Sequence, residues 1–232
     1  MQYATNVRII RVMCGGRVDL EMIFSAFLNG ADGVFIGTCL KGECHYTSGN
    51  LQAEARIIFA KHILKYTGLT EKRVKLSMMS SAESGKFVSS VSDFIETIIA
   101  EGKLPDDANT QRKLHAAYRA VMGEKIRWLA GKKTEFETDG NLYGEKFTPH
   151  EINRLFREVA QDEVLTQEII LLLENSPLTI KELAEITNIP PRRAVRQIAN
   201  MLRLGIVRQD GSKDNAPAFT AGNNKRLIEV IR

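Results

Sequence analysis

The 232-residue sequence has three cysteines, one tryptophan and no long apolar run. A membrane-spanning helix needs roughly 18 or more apolar residues in succession, and the N-terminus lacks the basic, apolar and small-residue sections of a secretory signal. Thirty-two basic and twenty-eight acidic residues leave a net charge of +4, too small to favour nucleic acid as the partner of the whole chain. We therefore expect a cytoplasmic protein without membrane insertion.

The three cysteines, Cys14, Cys39 and Cys44, all lie in the first fifth of the chain. An odd number of thiols without a secretory signal argues against a disulfide framework. Clustered thiolates suit zinc or an iron–sulfur cluster, although iron–sulfur clusters typically take four of them. Two other interpretations stay open: the cysteines simply pack at strand ends, or Cys44 and His45 form a catalytic pair, for which no orienting acid is evident.

The first hundred residues repeat a strand followed by a helix three times. The strands are predicted at residues 7–13, 33–37 and 74–79, and the helices at 18–28, 51–66 and 83–100. This alternation predicts an α/β fold with a small three-stranded parallel sheet and flanking helices. Ligands of such sheets collect at the carboxyl ends of the strands. Cys14 and Cys39 end the first two strands, and Cys44 shares the loop of Cys39, so the three thiols can converge on one edge.

The rest of the chain is predicted to form a helical connector and a second module. In the connector, residues 104–163, a helix covers 110–130, a glycine- and charge-rich link covers 131–146, and Thr148 caps a helix that ends near residue 159. Residues 164–232 contain helices at 165–174, after Thr179 and at 190–204, followed by a hairpin that turns around Asp210–Gly211. Three helices and a hairpin give the order of a winged helix-turn-helix domain. Residues 1–103 form the remaining, N-terminal domain.

Arginines mark the third helix of this winged-helix module. Arg192, Arg193, Arg196 and Arg203 lie where a DNA reader needs phosphate and base contacts. The module has ten basic and seven acidic residues, a local charge of +3 that makes up most of the excess of the chain. The hairpin balances its charges, however, and winged helices also serve as protein docking modules. The pattern favours docking or dimerisation and leaves nucleic acid as the alternative.

Several ordered segments resemble the delta subunit of methyl-viologen-reducing hydrogenase. They are NVRIIRVMCGGRVD at residues 6–19, ADGV at 31–34, the Cys39-x4-Cys44-His45-Tyr46 motif with Gly49-Asn50 behind it, and SSAESGKF at 80–87. The resemblance covers about residues 2–102. It extends to the related iron–sulfur domain of heterodisulfide-reductase-type, electron-bifurcating complexes.

The resemblance implies a non-catalytic electron-transfer subunit with a 2Fe-2S cluster on Cys14, Cys39 and Cys44. Such a subunit would relay electrons from a donor oxidoreductase, of hydrogenase, formate or NADH dehydrogenase type, to an FAD-containing heterodisulfide-reductase-like subunit. Gly15 and Gly42 would bring backbone amides toward the cluster, and Arg17 would stabilise its charge or else pair with Asp19 or Glu21. The alternative function is a redox-sensing regulator whose cluster senses and whose winged helix binds DNA.

The sequence departs from this family at its beginning. Family members usually carry an earlier strand and helix with a cysteine-rich turn before the residues that match Met1-Gln2-Tyr3, so we expect this chain to lack one strand and one thiolate. Three explanations compete: a partner chain supplies both, His45 or another side chain completes the ligand set, or the cluster has been lost. We favour the partner chain, because an unpaired sheet edge invites an added strand.

Overall fold

The computed structural model describes residues 6–222. The first residues of the family resemblance and the last ten residues of the C-terminal module lie outside this range. Two short 3-10 turns, Gly15–Arg17 and Glu71–Arg73, accompany eight helices and five strands in the described part. In chain order these are α1 (Leu20–Leu28), β1 (Val34–Thr38), α2 (Gly49–Thr67), β2 (Val74–Met78), α3 (Ser84–Glu101), α4 (Ala108–Met122), α5 (Glu124–Thr138), α6 (Pro149–Asn175), β3 (Leu178–Thr179), α7 (Ile180–Thr187), α8 (Pro191–Arg203), β4 (Val207–Lys213) and β5 (Ala216–Ala221).

The N-terminal sheet has two strands rather than the predicted three. β1 and β2 pair in parallel, with Val34 opposite Val74 and Thr38 opposite Met78, and α2 forms the crossover. The α/β fold class is therefore confirmed, but the strand expected at residues 7–13 is wrong. That segment makes no backbone ladder with either strand, and Ile9, Ile10 and Met13 are 55%, 76% and 80% exposed. Its β-branched composition alone cannot make a strand without a hydrogen-bonding neighbour.

The first hydrophobic core lies between this sheet and five helices, α1, α2, α4, α5 and α6. Phe24 and Phe27 of α1 are fully buried in it. Phe59 of α2 stacks on Phe156 of α6 with ring centroids 4.0 Å apart. Burying an aromatic side chain contributes about 1.5–3 kcal/mol relative to leaving it exposed, so this stacked pair fixes α6 against the thiol-bearing part of the chain.

The connector differs from its prediction in two places. Residues 110–130 do not form one helix. The extended backbone of Gly123 ends α4 and precedes the first residue of α5. Gly131 does not end α5, which continues to Thr138. The capping box of Thr148 and Glu151 is confirmed.

The helix that this capping box starts does not stop near residue 159. α6 runs unbroken to Asn175 and joins the two helices predicted separately. No glycine or proline lies between residues 159 and 165, so nothing local interrupts the hydrogen-bond ladder. The boundary drawn between residues 163 and 164 therefore falls inside a helix.

The C-terminal elements form a second core. α7 begins at the predicted cap Thr179, with Glu182 completing a capping box. α8 follows after a short turn that contains Asn188 in the left-handed conformation, and the antiparallel sheet has the order β3-β5-β4. The hairpin turns at Asp214 and Asn215, both with positive φ, rather than at Asp210–Gly211. Asn and Asp tolerate this conformation, which two-residue hairpin turns require.

Among the helices of residues 6–222, none is long and apolar enough to cross a membrane.

Candidate functional site

Cys14 and Cys44 approach each other at the start of α2. Their Sγ atoms lie 4.0 Å apart, although the residues are 30 positions apart in sequence. Two thiolates on one tetrahedral metal with bonds of about 2.3 Å would lie about 3.8 Å apart. The two side chains therefore already have the separation of a ligand pair.

A turn of the backbone positions Cys14, the first thiol of this pair. Cys14 precedes the 3-10 turn Gly15–Arg17, and its sulfur accepts a hydrogen bond from the backbone N–H of Gly16 at 3.4 Å. Arg56 of α2 donates from its guanidinium to the carbonyl of Gly16 and, at 3.5 Å, to that of Val18. Cys14 thus reaches the site from a turn held by α2, and not from the end of a strand as the sequence predicted.

The second half lies at the N-terminus of α2. Ser48, in the N-cap position, makes no side-chain capping bond. Hydrogen bonds from backbone N–H groups, Asn50 foremost and then Tyr46 and Gly49, lower the pKa of Cys44 to about 7, assisted by the thiol of Cys39. Unpaired N–H groups and the positive end of the helix dipole both favour an anion here. These contacts favour the thiolate form of Cys44, which is the form that binds a metal.

Cys39 lies directly after β1 and beside Cys44. Burial raises the pKa of the Cys39 thiol, and its hydrogen bond to Cys44 and the charge of Cys44 raise it further. Asn50, which is buried, donates from its side-chain amide to the carbonyl oxygens of Leu40 at 2.7 Å and of Cys39 at 3.3 Å. The amide of Asn50 thereby fixes the backbone that follows β1 against the start of α2.

Glycines allow the two thiol-bearing loops to pack backbone against backbone. A Cβ at position 49 would overlap the sulfur of Cys14 and lie 3.3 Å from that of Cys44. A Cβ at Gly16 would lie 2.8 Å from backbone atoms of Gly49, and one at Gly15 would overlap Thr38. The two loops therefore lie too close together for a side chain at Gly15, Gly16 or Gly49.

The other predicted site residues do not join the thiols. His45 is exposed, and its ring packs edge-on against Tyr46 with centroids 5.0 Å apart. Arg17 is exposed, and its expected partners Asp19 and Glu21 pair instead with Arg127. Gly42 adopts a positive φ in the loop between Cys39 and Cys44 and has nothing within 4 Å of its added Cβ.

Cys14 and Cys44 lie together as a pair, and Cys39 lies beside Cys44. Across residues 6–222, no three His, Cys, Asp or Glu side chains are grouped so that they could hold one metal ion. A cluster of two irons, however, divides four protein ligands between the irons. The chemistry of the donors, soft thiols surrounded by backbone N–H groups, fits an anionic iron–sulfur group.

Two residues that support the site, Asn50 and Arg56, were missed by sequence reasoning. Each lies on α2 and contacts backbone 10 to 40 residues away, and no local pattern marks either of them. The one available signal was the Gly49-Asn50 pair within the family resemblance.

Comparisons with known proteins relate the N-terminal part of the chain to a protein family. Residues 1–102 match the family described as methyl-viologen-reducing hydrogenase, delta subunit. The iron-sulfur subunit of the vhc F420-non-reducing hydrogenase of Methanococcus voltae is 41% identical over 110 residues, which are 47% of this chain and 76% of that protein. The chain belongs to the methyl-viologen-reducing hydrogenase delta-subunit family.

Two further relatives show how widely this delta-subunit segment is used. The iron-sulfur subunit of the vhu F420-non-reducing hydrogenase of Methanopyrus kandleri is 46% identical over 95 residues, 41% of this chain and 72% of that protein. One subunit of the ferredoxin/F(420)H(2)-dependent CoB-CoM heterodisulfide reductase of Methanosarcina acetivorans is 38% identical over 98 residues. These are 42% of this chain but only 12% of that much longer relative. The delta-subunit segment thus occurs both as most of a small protein and as a minor part of a large one.

Proposed function

We propose that this chain is an electron-transfer subunit of a hydrogenase- or heterodisulfide-reductase-type complex and holds a 2Fe-2S cluster on Cys14, Cys39 and Cys44. The observation that carries the proposal is the 4.0 Å approach of Cys14 and Cys44 beneath the N-terminus of α2, in a family whose relatives include proteins named iron-sulfur subunits. When bound, such a cluster accepts and releases single electrons.

The residues of the chain would set the properties of the site. The N–H groups of Gly16, Gly49 and Asn50 lie against the sulfurs of Cys14 and Cys44 and would stabilise negative charge on them. Hydrogen bonds to ligating sulfurs are one of the ways in which a protein sets a cluster's potential. Asn50 and Arg56 would hold the two loops in place. The chain itself would make and break no substrate bonds.

A partner chain is proposed to complete the ligand set. Cys14, Cys39 and Cys44 are the only cysteines of the sequence, one fewer than a four-thiolate cluster takes. In the segment 7–13, Ile9, Ile10 and Met13 are largely exposed, and a two-stranded sheet is marginal without additional strands. A strand from a neighbouring protein would cover this surface and bring the fourth ligand. The proposed neighbours are a donor oxidoreductase and an FAD-containing heterodisulfide-reductase-like subunit, with electron bifurcation as the process they serve.

Anaerobic purification of the full chain tests the proposal directly. We expect iron and acid-labile sulfide in equal amounts, visible absorption that bleaches on reduction, and an electron paramagnetic resonance signal of the reduced protein. Co-purifying chains should include a flavoprotein. Iron without sulfide, or zinc in its place, would contradict the cluster assignment.

The glycine at position 49 provides a sharper test of the geometry. Gly49→Ala should lower the iron bound after anaerobic reconstitution by about tenfold or more, because misplaced supporting groups typically cost 10–100-fold in metal affinity. The matched control is Gly131→Ala, in the interior of α5 with nothing within 4 Å of the added Cβ. The control should keep its iron and gain about 0.5–1 kcal/mol of stability. Equal iron in the two variants would show that the loops do not need this close approach.

A further inference from the structure

The exposed side of α8 carries a row of arginines. With 3.6 residues per turn, Arg192, Arg196 and Arg203 fall within about 40° of one another around the helix axis, along about 16 Å of its length. All three are exposed. The opposite side of the helix, formed by Ala194, Ile198 and Met201, is buried. The row therefore lies along the middle of the solvent-facing side.

The fourth arginine of α8 has a different role. Arg193 donates to Asp162 of α6 at 3.0 Å and is partly buried, so its charge is neutralised within the fold. Neither Arg192 nor Arg196 has a carboxylate partner among residues 6–222, whereas Arg203 donates to the amide oxygen of Asn200 at 3.0 Å. Three positive charges thus remain available to an external anion.

Acidic residues are absent from this part of the chain. None occurs between Glu185 and Asp210, a stretch that contains all of α8 and its flanking turns. Of the nearest carboxylates, Glu182 pairs with Lys213 at 3.6 Å and Asp210 approaches Arg208 at 3.9 Å. Within residues 6–222 no carboxylate, Glu185 included, forms an ion pair with Arg192, Arg196 or Arg203, so the row is a positive surface complementary to a polyanion.

The arrangement around α8 suits one polyanion in particular. α7 and α8 are joined by residues 188–190, as in a helix-turn-helix, whose second helix enters the major groove of DNA. A helix with its side chains is about 10–12 Å across, and the groove is about 12 Å wide. All four cations of α8 are arginines, which bind phosphate and guanine edges through two parallel hydrogen bonds. Val195, 50% exposed beside the row, offers an apolar contact to thymine methyl groups.

From these observations we propose that the outward face of α8, defined by Arg192, Arg196 and Arg203, binds duplex DNA. The contacts would go chiefly to phosphates, and β4, whose residues 208–213 are all exposed, would flank the duplex beside α8. This function is separate from electron transfer and does not depend on a bound cluster.

The test is fluorescence polarisation of the full chain with a labelled duplex of about 30 base pairs at several salt concentrations. We expect dissociation constants in the micromolar range or below at low salt and a log–log salt slope of about −2.7 for three phosphate contacts. The double variant Arg192→Ala/Arg196→Ala should bind at least about tenfold more weakly and flatten the slope by about 2.

The charge-matched control is Arg154→Ala/Arg157→Ala, which removes two exposed arginines from the first half of α6. This control should bind DNA like the unmodified chain. If both double variants bound DNA equally weakly, the loss would reflect only the overall charge of the chain, and the proposal would be overturned. The absence of DNA binding at low salt would overturn it as well. Equal or tighter binding of polyglutamate, lost in the Arg192→Ala/Arg196→Ala variant, would also overturn it and assign the face to an acidic protein partner.

Discussion

Replacing Cys44 by serine should reduce the iron bound by the anaerobically purified chain to roughly a tenth or less and abolish its visible absorption. The thiolate is the metal ligand of a cysteine, and a serine hydroxyl stays protonated where Cys44 has a pKa of about 7. The same loss is expected for Cys14→Ser, because the two sulfurs lie 4.0 Å apart as a pair, and for Cys39→Ser. Electron transfer to a flavoprotein partner should stop in all three variants.

Ser48→Ala is the appropriate control for these variants. Ser48 lies in the same loop as Cys44 and makes no side-chain capping bond to α2, so removing its hydroxyl should leave iron and absorption unchanged. Thermal unfolding of the metal-free proteins would separate loss of ligand from loss of fold. Iron content at the unmodified level in all three serine variants would refute the proposed ligand set.

The second large effect is expected at Glu168, in the middle of α6. Its side chain is fully buried and accepts hydrogen bonds from Arg112 Nε at 3.1 Å and from the Tyr66 hydroxyl at 3.2 Å. Arg112 also donates to the carbonyl of Ile186 at 3.4 Å. Burial raises the pKa of Tyr66, and the Glu168 carboxylate raises it further, so the phenol remains a donor. This network links α2, α4, α6 and the end of α7.

Glu168→Ala should lower the free energy of unfolding by about 3–5 kcal/mol, because it leaves the arginine and the phenol without their buried acceptor. Urea unfolding measures the change. Glu174→Ala is a matched control: Glu174 also lies on α6 and pairs with Arg119 of α4 at 2.8 Å, but its side chain is 35% exposed. An ion pair of that kind contributes about 0–1 kcal/mol. Similar losses in both variants would mean that the buried network adds nothing beyond an ordinary surface pair.

The features that were predicted correctly from sequence are those whose causes lie within a few residues. The capping box at Thr148 and the N-cap at Thr179 are confirmed, because a cap depends on residues only two or three positions apart. The strand at residues 7–13 was predicted wrongly, since a strand needs a partner elsewhere in the chain and composition does not reveal one. Gly123 and Gly131 show the same limit of prediction from local sequence. Both glycines disfavour a helix equally, yet the helix ends at Gly123 and α5 continues through Gly131.

The candidate site, too, could be predicted from the sequence only in part. Convergence of the thiols could be expected from the order of strands and loops, and the approach of Cys14 to Cys44 agrees with it. The means of convergence could not be expected. Asn50 and Arg56 act on carbonyl groups at Leu40 and Gly16, and such long-range contacts exist only once α2 has packed against both loops.

The continuity of α6 has a consequence for how the chain can be divided. Its buried hydrophobic residues up to Val164 belong to the first core and those from Leu165 onward to the second. At about 1.5 Å per residue the 27-residue helix is a rod of about 40 Å. The N-terminal and C-terminal halves are therefore joined by a continuous helix and not by a flexible linker. Cutting the chain between residues 163 and 164 would expose buried apolar side chains on both fragments. A molecule held at α8 and a molecule held at the thiol loops would keep a fixed spacing from each other.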